Sequence, residues 1–388
     1  MPKAPHLKEM VSKLIATPSV SSTLSQFDQS NADVVHTLAN WARPLGFDVA
    51  IEPIGGSPSK GPPYKANLIA TRGRGEGGLV LSGHTDTVPF DEALWESDPF
   101  TLTERDDRWY GLGTCDMKSF FAIVLEALRE IGDAEFKRPL TLVATADEES
   151  TMSGARALEA AALCGARYAV IGEPTELRAV NQHKGIMMLS LLIKGSSGHS
   201  SNPELGRSAL DATGDVINEL HRFRDSLKAH HTNPEFEVAY PTMNLGCIHG
   251  GDNPNRICDH VELAFDVRVL PGMDNEEIVG ELTEHLRPII DAHGLTMEFG
   301  PNHPPVPPFR SRGNELAPVM AELTDAPLQP VAFATEAPFL TDLGMETIVM
   351  GPGSIDQAHQ PNEFVALPQL DRAVAIIRAL ITRYCLRE

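Results

Sequence analysis

Basic residues are scarce in this sequence. Lys and Arg number 32 against 53 Asp and Glu, a net charge of −21. So acidic a chain is a poor fit to nucleic acid, whose phosphates need basic patches. It suits a cationic substrate or metal ions better. Long apolar runs are missing as well. No stretch approaches the ~18 residues of a spanning helix, so no membrane partner is expected. The N-terminal MPKAPHLKEMVSKLIATPSV is broken by charges and offers no signal-peptide core. The five cysteines, at 115, 164, 247, 258 and 385, form no CxxC pair. They make neither a disulfide framework nor a zinc finger, and a reducing, cytoplasmic setting is expected. GxSxG is absent, and no serine or cysteine nucleophile is needed. The glycines of RGRGEGG lie between two strand candidates with no helix after them, so they read as a turn, not a phosphate loop.

What is present is an ordinary globular composition over 388 residues, enough for two or three domains. Helices are expected near 5–16 and 30–45, then strands at FDVAIEP, YKANLIATRG and GGLVLSGHTD. MKSFFAIVLEALREIG has helical spacing and stops at Gly132. PLTLVATA reads as a strand, 153–164 as a helix and ARYAVIGEPT as a strand. Such alternation points to a mostly parallel sheet covered on both faces. From about 183 the pattern becomes strand, helix, strand, strand, helix, strand, with Met187 and Met188 as core filling. PNHPPVPPF reads as a Pro-rich linker. The α/β pattern then resumes up to an amphipathic C-terminal helix. The expected organisation is a catalytic domain in two pieces, 1–182 and 301–388, interrupted by an inserted domain at 183–300.

Acids and histidines recur where strands stop. GLVLSGHTD ends in His84 and Asp86, ATADEES supplies Glu148 and Glu149, and YAVIGEPT supplies Glu173. TIVMGPGSIDQAHQPNE carries His359, and Asp116 stands just before a helix. Each has an ordinary reading: a core histidine, a helix cap, a solvated charge run, a turn before proline. Together they ask for another explanation, because crowded carboxylates at a buried edge are costly without cations. If the strands are parallel, these segments share one edge of the sheet, where ligands collect. Two histidines and three of these carboxylates would suit zinc, with cobalt or manganese possible. Asp86, two residues after His84, is placed to take the far imidazole proton.

The segments SGHTDTVP, GLGTCDMK, ATADEE, GEPT, GSSGHSS, NRI and QAHQPNE resemble the co-catalytic zinc aminoacylase and carboxypeptidase superfamily, from about residue 10 onward. HTDTVPFD, SDPFTLTE, YPTMNLGCIHGGD and TEAPF resemble its acetylornithine deacetylase branch. The resemblance implies a zinc-peptidase-like α/β catalytic domain with an inserted α+β, ferredoxin-like domain for dimerisation or closure. It implies two Zn2+ ions, replaceable by Co2+: His84 and Glu173 on one, Glu149 and His359 on the other, Asp116 bridging. Glu148 would be the general base, Asp86 the residue orienting His84, and His199 an oxyanion donor from the partner of a homodimer. Cys115 departs from the small residue expected before the bridging Asp, and reads as an inert neighbour.

The planar fork of Arg256, assisted by Asn255, suits a substrate carboxylate, and charge complementarity together with the TEAPF match suggests Glu336 for a substrate ammonium. The expected activity is metal-dependent hydrolysis of N2-acetyl-L-ornithine to L-ornithine and acetate. Succinyl-diaminopimelate desuccinylase, a broader aminoacylase or dipeptidase, and a catalytically silent scaffold remain the alternatives.

Overall fold

The computed structural model describes residues 5–55, 64–301 and 303–387. Residues 1–4 of the N-terminus and Asn302 of the Pro-rich stretch lie outside the described residues. In chain order the principal elements begin with α1 (Leu7–Ile15), α2 (Ala32–Ala42), β1 (Asp48–Ile54), β2 (Lys65–Arg72), β3 (Leu79–His84) and α3 (Ser119–Ile131). β4 (Leu140–Thr145), α4 (Ser153–Arg156) and β5 (Tyr168–Pro174) follow. Next come β6 (Gly185–Lys194), α5 (Ala209–His230), β7 (Thr242–Gly250), β8 (His260–Val269), α6 (Asn275–Ala292) and β9 (Thr296–Pro301). The chain closes with α7 (Leu316–Thr324), α8 (Ala337–Asp342), β10 (Glu346–Gly351) and α9 (Leu367–Ile381). Two compact units result: Met1–Asn181 with Ser311–Gln329 and Thr335–Glu388, and Gln182–Arg310 with Pro330–Ala334.

In the first unit the sheet runs β1-β2-β4-β3-β5-β10. β4, β3, β5 and β10 are mutually parallel, while β1 and β2 are antiparallel additions at one edge. Every residue of β3, β4, β5 and β10 is buried. That is why these strands read as continuous apolar runs and not as alternation. α3 packs against α1 and α9 over this sheet, and its Phe120, Phe121, Val124 and Leu128 join the main core. It ends at Gly132, where the sequence reading placed its stop.

One expected helix is different. Residues 153–164 form the short α4 and then a separate 3-10 turn at Ala160–Leu163. Leu158 and Leu163 are both buried. Five residues apart, they would point about 140° away from each other on a continuous helix, and the break lets both face inward. The RGRGEGG segment is a turn.

The second unit is β6-α5-β7-β8-α6-β9. Its sheet is wholly antiparallel in the order β7-β8-β6-β9, with α5 and α6 packed on it. This is the ferredoxin-like arrangement. Ser208 accepts from the Asp211 N–H at the start of α5, and Asp274 accepts from Glu276 and Glu277 at the start of α6. Both satisfy otherwise orphaned first-turn donors. The methionine pair divides: Met187 is 1 % exposed and Met188 37 %. Adjacent strand residues face opposite sides, so the expectation that both fill the core holds only for Met187. Among the described residues no helix is long and apolar enough to cross a membrane.

Candidate active site

Parallel pairing brings the carboxyl ends of β3, β4, β5 and β10 to one edge of the sheet. His84 is the last residue of β3, Glu173 the penultimate residue of β5, and Glu148 and Glu149 leave β4 in the turn after Ala146. His359 stands in the loop beyond β10, at φ 60°. Asp116 reaches the same place from the turn before α3, next to a cis peptide bond to Met117. That turn is tight. Gly113 has φ 87°, and a Cβ there would lie 2.7 Å from Lys118 Cδ.

His84 Nε2 lies 2.9 Å from Asp116 Oδ1 and 4.0 Å from Glu173 Oε1. His359 Nε2 lies 2.9 Å from Glu149 Oε2 and 3.6 Å from Asp116 Oδ2. Ligand atoms of His84, Asp116 and Glu173 fall within 4.8 Å of one another, as do those of Asp116, Glu149 and His359. His84, Glu148 and Glu149 form a third such group. Asp116 therefore belongs to two donor triads and faces each with a different oxygen.

Asp86 requires a correction. The far nitrogen of His84, Nδ1, meets the backbone carbonyl of Asp86 at 3.0 Å, while the Asp86 carboxylate is 3.7 Å away. That carboxylate is occupied otherwise, accepting the backbone N–H of Glu148 at 3.3 Å and of Glu149 at 3.1 Å. One residue thus meets His84 through its main chain and holds the Glu148–Glu149 turn through its side chain.

Protein charges alone leave this cluster poorly compensated. Burial, then the charge of Glu173, pushes Glu148 well above the usual carboxyl range. Burial, then Asp116, does the same to Glu173 and raises Glu149. Burial disfavours the charged form of His84, but the hydrogen bond and charge of Asp116 carry it well above its ordinary value. His359 is raised to about 9 by its contact with Glu149. Glu173 Oε1 is buried without a hydrogen-bond partner. Excess buried acids, an orphaned carboxylate oxygen and two imidazoles in overlapping triads fit a pair of divalent cations.

Glu336, just before α8, is 1 % exposed, and neither carboxylate oxygen has a hydrogen-bond partner. Burial raises it to about 7. The Thr145 hydroxyl, which donates to the Gly83 carbonyl at 3.1 Å, opposes that rise. Cys115 is buried, donates to the Ser354 carbonyl at 3.3 Å, and is pushed well above the usual thiol range by burial.

Two parts of the site went unassigned in the sequence. Asp147 accepts from buried Lys65 at 2.7 Å, Ser21 at 3.0 Å and Ser153 at 3.1 Å. It also accepts three backbone N–H groups on its carbonyl, from Ser150, Thr151 and Met152. Gly154 permits this turn, since a Cβ there would lie 2.4 Å from Ala146 N. Glu363 is the second. It is 1 % exposed and receives the backbone N–H groups of Gly113, Cys115 and Asp116. The only signal for it was its place at the end of QAHQPNE.

His199, Asn255 and Arg256 lie in the second unit and adjoin one another. His199 pairs with Arg256 in an isolated bridge, and Ser200 N–H donates to the Asn255 carbonyl at 3.0 Å. His199 Nδ1 accepts from the Ser201 hydroxyl at 2.8 Å, and Arg256 is ion-paired with Asp252.

Comparison with known proteins extends the geometry. The chain is 45% identical over 385 residues to an acetylornithine deacetylase of Photorhabdus laumondii, covering 99% of this chain and 98% of that one. It is 44% identical over 384 residues to an acetylornithine deacetylase of Aliivibrio salmonicida, covering 99% and 100%. The fold matches the crystal structure of aminopeptidase PepT from Bacillus cereus with a TM-score of 0.74 over 97% of both chains, at 20% identity. Residues 80–383 match the family model described as peptidase family M20/M25/M40. On these matches, and with its donor triads at the sheet edge, the chain belongs to peptidase family M20/M25/M40.

Proposed function

We propose that this protein is a two-metal amidohydrolase that removes the acetyl group of N2-acetyl-L-ornithine, releasing L-ornithine and acetate. The observation that carries this reading is the sharing of Asp116 between two donor triads, with Glu148 grouped beside them. The full-length similarity to acetylornithine deacetylases supports the substrate.

His84 and Glu173 would hold one divalent ion, Glu149 and His359 the other, and Asp116 both; zinc suits this donor set and cobalt can replace it. When bound, the ions supply an acidified water and a polarised scissile carbonyl. Glu148 takes the proton of the attacking water and gives it to the leaving nitrogen, as the C–O bond forms and the C–N bond breaks. A carboxyl raised by burial is suited to both halves of that transfer. Asp86 holds His84 through its carbonyl and the Glu148 turn through its carboxylate. His199, from the partner subunit of a homodimer, donates to the oxyanion. Arg256 binds the substrate carboxylate with help from Asn255, exchanging its Asp252 contact for it. Glu336 offers the substrate ammonium a carboxylate that has no partner of its own. The five free cysteines suit a reducing, cytoplasmic setting.

The test compares amine release from N2-acetyl-L-ornithine and N-succinyl-diaminopimelate, with chelated protein and after zinc or cobalt is restored. Metal-dependent cleavage of the first substrate alone is expected. Cleavage of the second alone would overturn the substrate and leave the metal site. Two bound ions with no turnover of any acylated amino acid would favour the silent scaffold. A Glu336→Gln enzyme that kept its full preference for a cationic substrate would remove Glu336 from the pocket.

A further inference from the structure

We infer that Glu363 is a positioning residue that joins the two loops carrying Asp116 and His359 into one metal-binding frame. The inference rests on the two-metal reading above. Asp116 lies in a turn with no regular structure of its own. Its main chain is fixed from outside. Glu363 Oε1 accepts the N–H of Cys115 at 2.7 Å, of Asp116 at 2.9 Å and of Gly113 at 3.1 Å, and Oε2 also accepts from Gly113 at 3.1 Å. One buried carboxylate thus satisfies three N–H groups that would otherwise be orphaned in the interior.

The same residue anchors the other loop. Three residues separate His359 from Glu363, so the point that grips the Asp116 turn limits how far His359 can move. The Glu363 carbonyl accepts from Gly111 N–H at 3.0 Å, and Phe364 pairs with Tyr110 in a short antiparallel ladder. Asn362, at φ 62°, accepts from Glu96 N–H at 2.8 Å and donates to the Leu94 carbonyl at 3.3 Å. Earlier in the segment, Cys115 Sγ donates to the Ser354 carbonyl. The His359 loop is therefore tied on both sides of the histidine, and the Glu363 tie closes on the Asp116 turn. Since Asp116 belongs to both triads, loosening it disturbs both ions and not one.

A second buried carboxylate provides the control. Glu346 accepts the N–H groups of Glu315, Leu316 and Ala317. It begins β10, so it sits at the amino end of a strand whose carboxyl end faces the site. Truncating either carboxylate removes a buried acceptor, and only Glu363 bears on the ligand loops.

The experiment measures cobalt binding, as ion count and Kd, for wild type, Glu363→Ala, Glu363→Gln and Glu346→Gln, with thermal melting of the chelated chains alongside. Wild type is expected to take up two ions. Glu363→Ala should weaken both by about 10–100-fold, the usual effect of losing a partner behind a ligand. Glu363→Gln keeps one acceptor oxygen and should fall between. Glu346→Gln should melt earlier and bind cobalt as wild type does. If the alanine chain does not fold, the glutamine chain carries the comparison. Folded Glu363 variants with wild-type Kd values would overturn the inference and leave the two-metal site intact. A wild type that binds no cobalt would remove both.

Discussion

Asp116 turns one carboxylate oxygen to His84, at 2.9 Å, and keeps the other for the His359 side of the cluster. Its second oxygen is 3.6 Å from His359 Nε2. This makes the two histidines unequal to Asp116 in a binding experiment. His359→Ala should leave one ion bound, because His84, Asp116 and Glu173 remain. Asp116→Ala should lose tight binding of both. Cobalt titration followed by its visible spectrum reads the two cases apart. Equal loss in both variants would mean that the triads are not separate.

Glu148 is the group whose removal should stop chemistry and spare the ions. It lies among the donor groups of the two triads, and its turn is held by Asp86 through backbone contacts that Gln would keep. Glu148→Gln is expected to lower kcat by about 10^2–10^4-fold, the ordinary contribution of a positioned base. Two ions should still bind. Full activity would transfer the proton step to another residue.

The cluster itself could be read from sequence because the physics is local. Runs buried on both faces announce parallel strands, and a charged residue at the end of such a run has one edge to occupy. What escaped depends on atoms and not on residue types. That Asp86 orients His84 by its carbonyl follows from the path of the main chain. Glu363 meets the Asp116 turn across 247 positions of sequence, so no spacing rule connects them. The break after α4 was hidden because alanine-rich sequence favours helix, and the burial of two leucines decided otherwise.

Ion binding should release protons at neutral pH. His359, raised to about 9 by Glu149, is charged there, and burial raises Glu149 and Glu173 as well. A ligand must give up its proton to bind. Apparent affinity should therefore climb as pH approaches about 9. Without ions the sign for stability is opposite. A raised histidine contributes fully below its ordinary value of 6.5, and the contribution is lost as pH rises through about 9. Calorimetric titration in buffers of different ionisation heat measures the protons. Binding with none released at pH 7 would contradict this electrostatic picture.

Cys247 is exposed, whereas Cys115, Cys258 and Cys385 are buried. Burial also raises Cys385 to about 12. Only the thiolate reacts, so iodoacetamide should label Cys247 first in the native chain and reach Cys115 and Cys385 only on unfolding. Early labelling of Cys115, located by peptide mapping, would contradict its role as an inert neighbour.

Lys65 offers the most direct test of how the Glu148 turn is supported. Its ammonium, buried with 6 % of the residue exposed, lies 2.8 Å from Asp28 and 2.7 Å from Asp147. Asp147 in turn holds the residues that follow Glu149. Lys65→Met would leave two carboxylates without their cation, a loss on the order of 3–5 kcal/mol for breaking a buried pair. Turnover should fall with it, since Glu148 and Glu149 ride on the same turn. Adding Asp147→Asn removes one of the stranded charges and should recover part of the stability. It should not recover turnover, because the turn stays unanchored. Denaturant melts and kcat, measured on the single and double variants, separate the two effects. Equal recovery of both would show that charge balance alone, and not the anchoring of the turn, sets the position of Glu148.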